Sequence, residues 1–130
     1  MKRTLVATLV VFIAWLVLDF LIHGVILRAG YEATPSLWRG PAEAKMSLYV
    51  LTILVGAYCF CRIYAAWIQP KSPRTGFLYG IWFGIGTGIA MGYGAYAFQP
   101  IPYYMALTWF LGHVVEAIAG GIAAGALIRD

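Results

Sequence analysis

The sequence predicts an all-α protein, an integral membrane four-helix bundle with up-down-up-down connections. Hydrophobic residues fill 62% of its 130 positions and charged residues only 11%, whereas a soluble domain carries about a quarter charged residues. Four apolar runs also approach the roughly 20 residues that a helix needs to cross the bilayer core. They cover residues 5–27, 46–68, 76–98 and 103–128, and we expect them to form a single transmembrane domain over residues 1–130.

Proline-rich connectors separate these runs. They read TPSLWRGP, QPKSPR and QPIPYY in chain order, and such clusters end one helix and precede the next. Backbone groups in lipid must be satisfied within their own segment, which favours helices over open strands. The first connector is the longest, and we expect a short helix around residues 41–45 within it.

The distribution of basic residues predicts the orientation. The side that holds both termini and the second connector carries Lys2, Arg3, Lys71, Arg74 and Arg129, and the other side carries Arg28, Arg39 and Lys45. Because basic residues concentrate on the cytoplasmic side, both termini are predicted to be cytoplasmic, in a bacterial inner membrane. The net charge of +4 then reflects topology, and we expect membrane lipid rather than nucleic acid as a partner.

A glycine stripe marks the third predicted helix. Its members recur at every fourth position: Gly76, Gly80, Gly84, Gly88 and Gly92. The fourth helix offers matching small residues, among them Gly112, Gly120 and Gly121. Because a surface without side chains allows close helix approach in a membrane, the stripe is predicted to pack against the fourth helix or against a second copy. The short connector favours the first alternative.

Ionisable residues interrupt the apolar runs at five positions, namely Asp19, His23, Arg62, His113 and Glu116. Such residues are costly in hydrocarbon and indicate function by default. Depths estimated from a rise of about 1.5 Å per residue put Asp19 level with His113 and bring Arg62 within reach of Glu116. We therefore expect a buried polar core, or a proton path, in which Asp19 faces His113 and Arg62 faces Glu116.

The same residues are candidate ligands for a metal ion. Asp19 and His23 stand four positions apart, and His113 and Glu116 stand three apart, so each pair lies on one helical face. Carboxylate and imidazole groups from facing helices build di-metal sites in bundles, but these use about six ligands and this chain offers four. A haem held by both histidines is disfavoured because their estimated depths differ by roughly 9 Å. The alternative is that these side chains form hydrogen bonds that hold the helices together. The sequence does not identify a cofactor.

Catalytic motifs are absent from the sequence, which contains neither a nucleophile-elbow serine nor an H-E-x-x-H pair, so no enzymatic activity is predicted. The most distinctive extramembrane stretch is SLWR, with Trp38 and Arg39. A tryptophan and an arginine at this position are typical of anchors to lipid headgroups. A carboxylate-bearing lipid or a partner subunit are the alternatives for this loop.

A resemblance adds to this interpretation. An early helix ending in LDFLIHGVILRAGYEATPSLWR, a third helix with a glycine at every fourth position, and a final helix with WFLGH that ends in GGIAAGALI together resemble small four-helix bacterial inner-membrane proteins of uncharacterised families. The resemblance implies the fold and the location. It implies no activity.

Two functional hypotheses follow. The first is a packing or assembly module, either a homo-oligomer or an accessory subunit of a larger membrane complex, whose buried charges specify helix register. The many glycines and short soluble parts favour it. The second is a small proton-linked transporter or an intramembrane cofactor- or metal-binding protein that uses Asp19, His113 and Glu116.

Overall fold

The computed structural model describes residues 1–130, and its regular structure is entirely helical, with no strand. The all-α prediction is confirmed. In chain order the elements are α1 (Lys2–Asp19), a π-helical continuation (Phe20–Ile26), α2 (Arg28–Ala33), a 3-10 turn (Pro35–Leu37), α3 (Met46–Trp67), α4 (Pro73–Ile89), a second π-helical segment (Ala90–Gly94), α5 (Ala95–Phe98) and α6 (Tyr103–Leu127). Three helices are long and apolar enough to cross a membrane: Lys2–Ile26, Met46–Trp67 and Tyr103–Leu127.

The third predicted helix differs most from its expected form. It begins at Pro73 because Ser72 Oγ accepts a hydrogen bond from the Thr75 N–H at 3.0 Å, and proline suits the first helical position. Its regular α-helical part has 17 residues and ends at Ile89. The segment then widens into a π-helix before α5 completes it.

The prediction of a short helix at residues 41–45 is wrong. Those residues form a single turn in which the Gly40 carbonyl accepts hydrogen bonds from the Glu43 and Ala44 N–H groups. Lys45 then leaves the helical region at φ −90°, ψ 68°, so the turn is not extended into α3. The helical structure of this connector lies earlier, in α2 and the 3-10 turn.

Helix α6 is central to the packing. It contacts α4 along its length and also contacts α1, while α3 packs mainly against α1. Arg3 donates a hydrogen bond to the Arg129 carbonyl at 3.0 Å, so the two chain ends lie together. An aromatic cluster of Phe60, Tyr79 and Phe83 joins α3 to α4.

The five glycines of the stripe lie buried against α6 of the same chain. A Cβ atom added at Gly80 would lie 2.7 Å from the Cα of Ile118, and one at Gly84 would lie 2.9 Å from the Cα of Val114. Gly76 and Gly121 face each other so closely that a Cβ on either would overlap the other's carbonyl oxygen. The stripe thus serves contact within the chain.

Two apolar clusters occupy the two ends of the molecule. The larger lies at the end of the chain termini and contains Ala7, Val11, Ala57, Phe60, Cys61, Tyr64, Ala124 and Ile128. The smaller contains Ile22, Leu27 and Met105, with Tyr31, Trp38 and Trp109 packed on it. Asp19 lies between these clusters along the first helix, and His113 and Glu116 lie between them along α6.

Candidate functional site

A cavity of about 280 Å³ brings four of the five predicted ionisable residues together. It is lined by Asp19, Ile22, His23, Met91, Trp109, His113 and Glu116. Asp19 is the last residue of α1, and His23 and Met91 lie in the two π-helical segments. Such segments are rare and are often found at functional sites. The widened backbone of both segments therefore borders this cavity.

Two hydrogen bonds and one ion-pair contact connect Trp109, Tyr31 and His23 in series to Asp19. The Trp109 indole N–H, which can only donate, lies 3.0 Å from the Tyr31 hydroxyl oxygen. That hydroxyl lies 2.6 Å from His23 Nδ1 and bonds to no other acceptor, so it donates its proton to the ring. His23 therefore carries its own proton on Nε2, which lies 3.4 Å from Asp19 Oδ1.

On the opposite side, His113 presents an unprotonated nitrogen to Glu116. Thr87 Oγ1 lies 2.7 Å from the Phe83 carbonyl oxygen, which can only accept, so the hydroxyl proton is committed there. The 2.7 Å contact between Thr87 Oγ1 and His113 Nε2 then requires the ring N–H to donate. In the neutral ring Nδ1 is left as an acceptor, 3.8 Å from Glu116 Oε2.

Asp19 and Glu116 both line the cavity where these two arms meet. Their side chains are only 15% and 13% exposed, and Glu116 Oε1 is buried without a hydrogen-bond partner. Trp15 on α1 donates to the Glu116 backbone carbonyl at 2.7 Å, which holds the two helices in register. Two carboxyl groups that line one cavity repel one another when both are charged.

The expected pairing of Arg62 with Glu116 does not occur. Arg62 is exposed and forms no ion pair. Depth alone misled the prediction, because rotation about the helix axis also matters. The buried face of α3 carries Ala57, Cys61 and Tyr64, and Arg62 follows Cys61 by about 100°. Asp19 makes its ion-pair contact with His23 of its own helix at 3.4 Å, and it lines one cavity together with His113, its expected partner.

The four candidate metal ligands do not form a metal site. No three or more histidine, cysteine or acidic side chains are arranged to hold a metal ion. Each imidazole already uses one nitrogen for a hydrogen bond, His23 with Tyr31 and His113 with Thr87. The donor set suits hydrogen bonding and proton exchange better than metal ligation.

Several side chains of the site were missed by sequence reasoning. Trp109 could have been found, since it stands four positions before His113 and hence on the same face of α6. Thr87 lies on a helix interpreted only for its glycines, and Tyr31 lies in the connector, where periodicity carries no signal. Burial raises the pKa of Tyr31 to about 12, and the negative charge of Asp19 adds to this rise against the opposing hydrogen bond from Trp109.

The SLWR loop lies beside this site. Trp38 packs edge-on against Tyr31 and Trp109, with ring centroids 5.1 and 5.8 Å apart. Its indole N–H donates to Thr34 Oγ1 at 2.9 Å. Trp38 thus packs beside the hydrogen bond from Trp109 to Tyr31. Arg39, the next residue, is exposed.

Comparisons with known proteins found no matching family model, no matching curated protein and no matching solved structure. The functional argument therefore depends on the geometry of the cavity.

Proposed function

We propose that this chain is a small proton-linked membrane transporter in which Asp19 and Glu116 form the proton-carrying pair. The observation that carries the proposal is that these two largely buried carboxyl groups line one cavity, each with an imidazole beside it. Ionisable groups that face one another inside an apolar bundle are the usual components of proton relays.

Membrane insertion is supported by what the surface exposes. Only 25 of 130 residues are buried, and exposed large hydrophobic side chains occur along α1, α3, α4 and α6. Apolar surface of this extent is unfavourable in contact with water and favourable in contact with acyl chains. We place four crossings in the bilayer, up-down-up-down, and the third consists of α4, the π-helical segment and α5, which run on for 17, 5 and 4 residues.

The contact between Arg3 and the Arg129 carbonyl supports an even number of crossings, because it holds both termini at one surface. With the basic residues counted as above, that surface is the cytoplasmic one of a bacterial inner membrane. α2 and Tyr31 then lie toward the opposite surface.

The groups beside the two carboxyl groups support proton transfer in particular. On one side Tyr31 donates to His23 Nδ1, and His23 Nε2 lies 3.4 Å from Asp19. On the other side His113 donates from Nε2 to Thr87 and turns Nδ1 toward Glu116. Because an imidazole can take up a proton on one nitrogen and release one from the other, each histidine can exchange a proton with the carboxyl group nearer to it. The 3.8 Å gap between Glu116 and His113 exceeds a direct hydrogen bond, so transfer there requires side-chain movement, for which the cavity provides room.

Proton flux through reconstituted vesicles tests the proposal. Purified protein is inserted into liposomes that contain a pH-sensitive dye, a pH gradient is imposed with the potential clamped, and its decay is followed. We expect decay faster than in protein-free vesicles. Asp19→Asn and Glu116→Gln should return the rate to that of protein-free vesicles, because each removes one of the two proton-carrying groups.

Glu43→Gln is the matched control, since Glu43 is an exposed carboxylate in the first connector, remote from the cavity lining. It should leave flux unchanged, and circular dichroism should show equal helix content for all three variants. Infrared spectroscopy supplies a second measurement, because the carbonyl stretch of a protonated carboxyl should disappear in Glu116→Gln. Wild-type flux equal to that of empty vesicles, or equal loss in the control, would overturn the proposal.

The packing or assembly module remains the second candidate, and the breadth of exposed apolar surface on α1 and α3 favours it. Burial of the glycine stripe against α6 removes one reason for a partner, since that surface is already covered. If flux is absent, copurification of a fixed partner, or a defined oligomer that Asp19→Asn disrupts, would support this alternative.

A further inference from the structure

A second and larger hollow lies beside the cavity. This groove, of about 1150 Å³, runs between the outer half of α1 and the start of α3, beneath the first connector. Its apolar walls include Leu16, Phe20, Met46 and Val50. Phe20 is 66% exposed and Met46 is 60% exposed, so side chains of the chain itself leave the groove open.

The mouth of the groove is basic. Arg39 and Lys45 both line it, and neither forms an ion pair or a side-chain hydrogen bond within the chain. The acidic residue at the mouth, Glu32, is already paired with Arg28 at 3.1 Å. Two unpaired cations therefore stand at the end of an apolar channel, which is the charge pattern of a site for an anionic head with a hydrocarbon tail.

We propose that this groove binds one anionic phospholipid, with an acyl chain between α1 and α3 and the phosphate between Arg39 and Lys45. The two basic side chains supply charge-assisted hydrogen bonds to phosphate oxygens, and the apolar walls replace contacts that the chain would make in bulk lipid. The site is independent of proton transfer and requires only the membrane placement of α1 and α3.

A lipid in this groove would contact residues of the proton site, because Asp19 and His23 line both hollows. An acyl chain bound in the groove would lie against these two residues and shield them from water.

Lipid binding by delipidated protein in detergent is the direct test. Phosphatidylglycerol is titrated against the protein and bound lipid is counted by native mass spectrometry, with phosphatidylcholine of the same acyl chains as the comparison. We expect one phosphatidylglycerol to bind saturably and more tightly than phosphatidylcholine. Arg39→Gln and Lys45→Gln should each weaken it about fivefold, and the double variant about 25-fold, since a basic residue near an anionic headgroup contributes about this much.

Two variants separate the site from general surface charge. Arg74→Gln removes an exposed charge at the start of α4, outside the groove, and should leave affinity unchanged. Val50→Trp fills the groove and should weaken both lipids. Equal affinity for the two lipids, equal loss in Arg74→Gln, or full displacement by inorganic phosphate would each overturn the proposal. These results do not depend on proton flux, so the two proposals can fail separately.

Discussion

Replacing Gly80 by alanine tests the close contact of α4 with α6. The added Cβ would lie 2.7 Å from the Cα of Ile118 and 2.9 Å from the carbonyl carbon of Ala117, whereas carbon atoms pack at about 3.5–4.0 Å. Because backbone cannot rotate away as a side chain can, the helices must separate by about 1 Å. Overpacking of this kind costs about 1–3 kcal/mol of the free energy of unfolding.

Gly86→Ala is the matched control on the same helix, since nothing lies within 4 Å of its added Cβ. Both variants gain the same helix propensity, about 1 kcal/mol over glycine, so their difference isolates the contact. Unfolding in mixed micelles with rising denaturing detergent, followed by circular dichroism, should show Gly80→Ala less stable than Gly86→Ala by about 1–3 kcal/mol. Equal stability of the two would refute the close packing, and a change of oligomeric state in Gly80→Ala alone would mean that the stripe faces a second copy.

Two further predictions concern tyrosines outside the carboxyl pair. Tyr64→Phe should lower the free energy of unfolding by about 1–3 kcal/mol in the same assay. The reason is that the Tyr64 hydroxyl both donates to the Ser72 carbonyl and accepts from the Ser72 N–H, each at 3.0 Å. No loss of stability would show that water replaces these two bonds. Burial raises the pKa of Tyr31 in the folded state to about 12, from 10.0 in its reference state. Between these two pH values the folded chain binds more protons than the unfolded chain, so the free energy of unfolding falls as pH rises through that window. Tyr31→Phe should flatten this fall, and an unchanged slope would contradict the assignment.

Sequence reasoning succeeded for the helices and failed for the pairing of side chains. Met46 and Tyr103 begin helices as predicted, because apolar composition and proline connectors act locally. Arg62 was assigned to the interior from its depth, but its rotation about α3 is set by which residues of that helix face α1. The two π-helical segments were not predicted, since nothing in the local residue types distinguishes them from regular helix.

What the sequence by itself determined is the helical class, the position of the long helices and the small set of ionisable residues inside them. These follow from hydropathy, glycine spacing and proline, which act through neighbours along the chain. Only the tertiary structure decided that Asp19 and Glu116 line one cavity, that Tyr31 and Thr87 bond to the histidines on either side, and that the glycine stripe lies against α6. The reason is geometric: contacts between helices depend on their rotation and widening, and these are set by the packing of the whole chain.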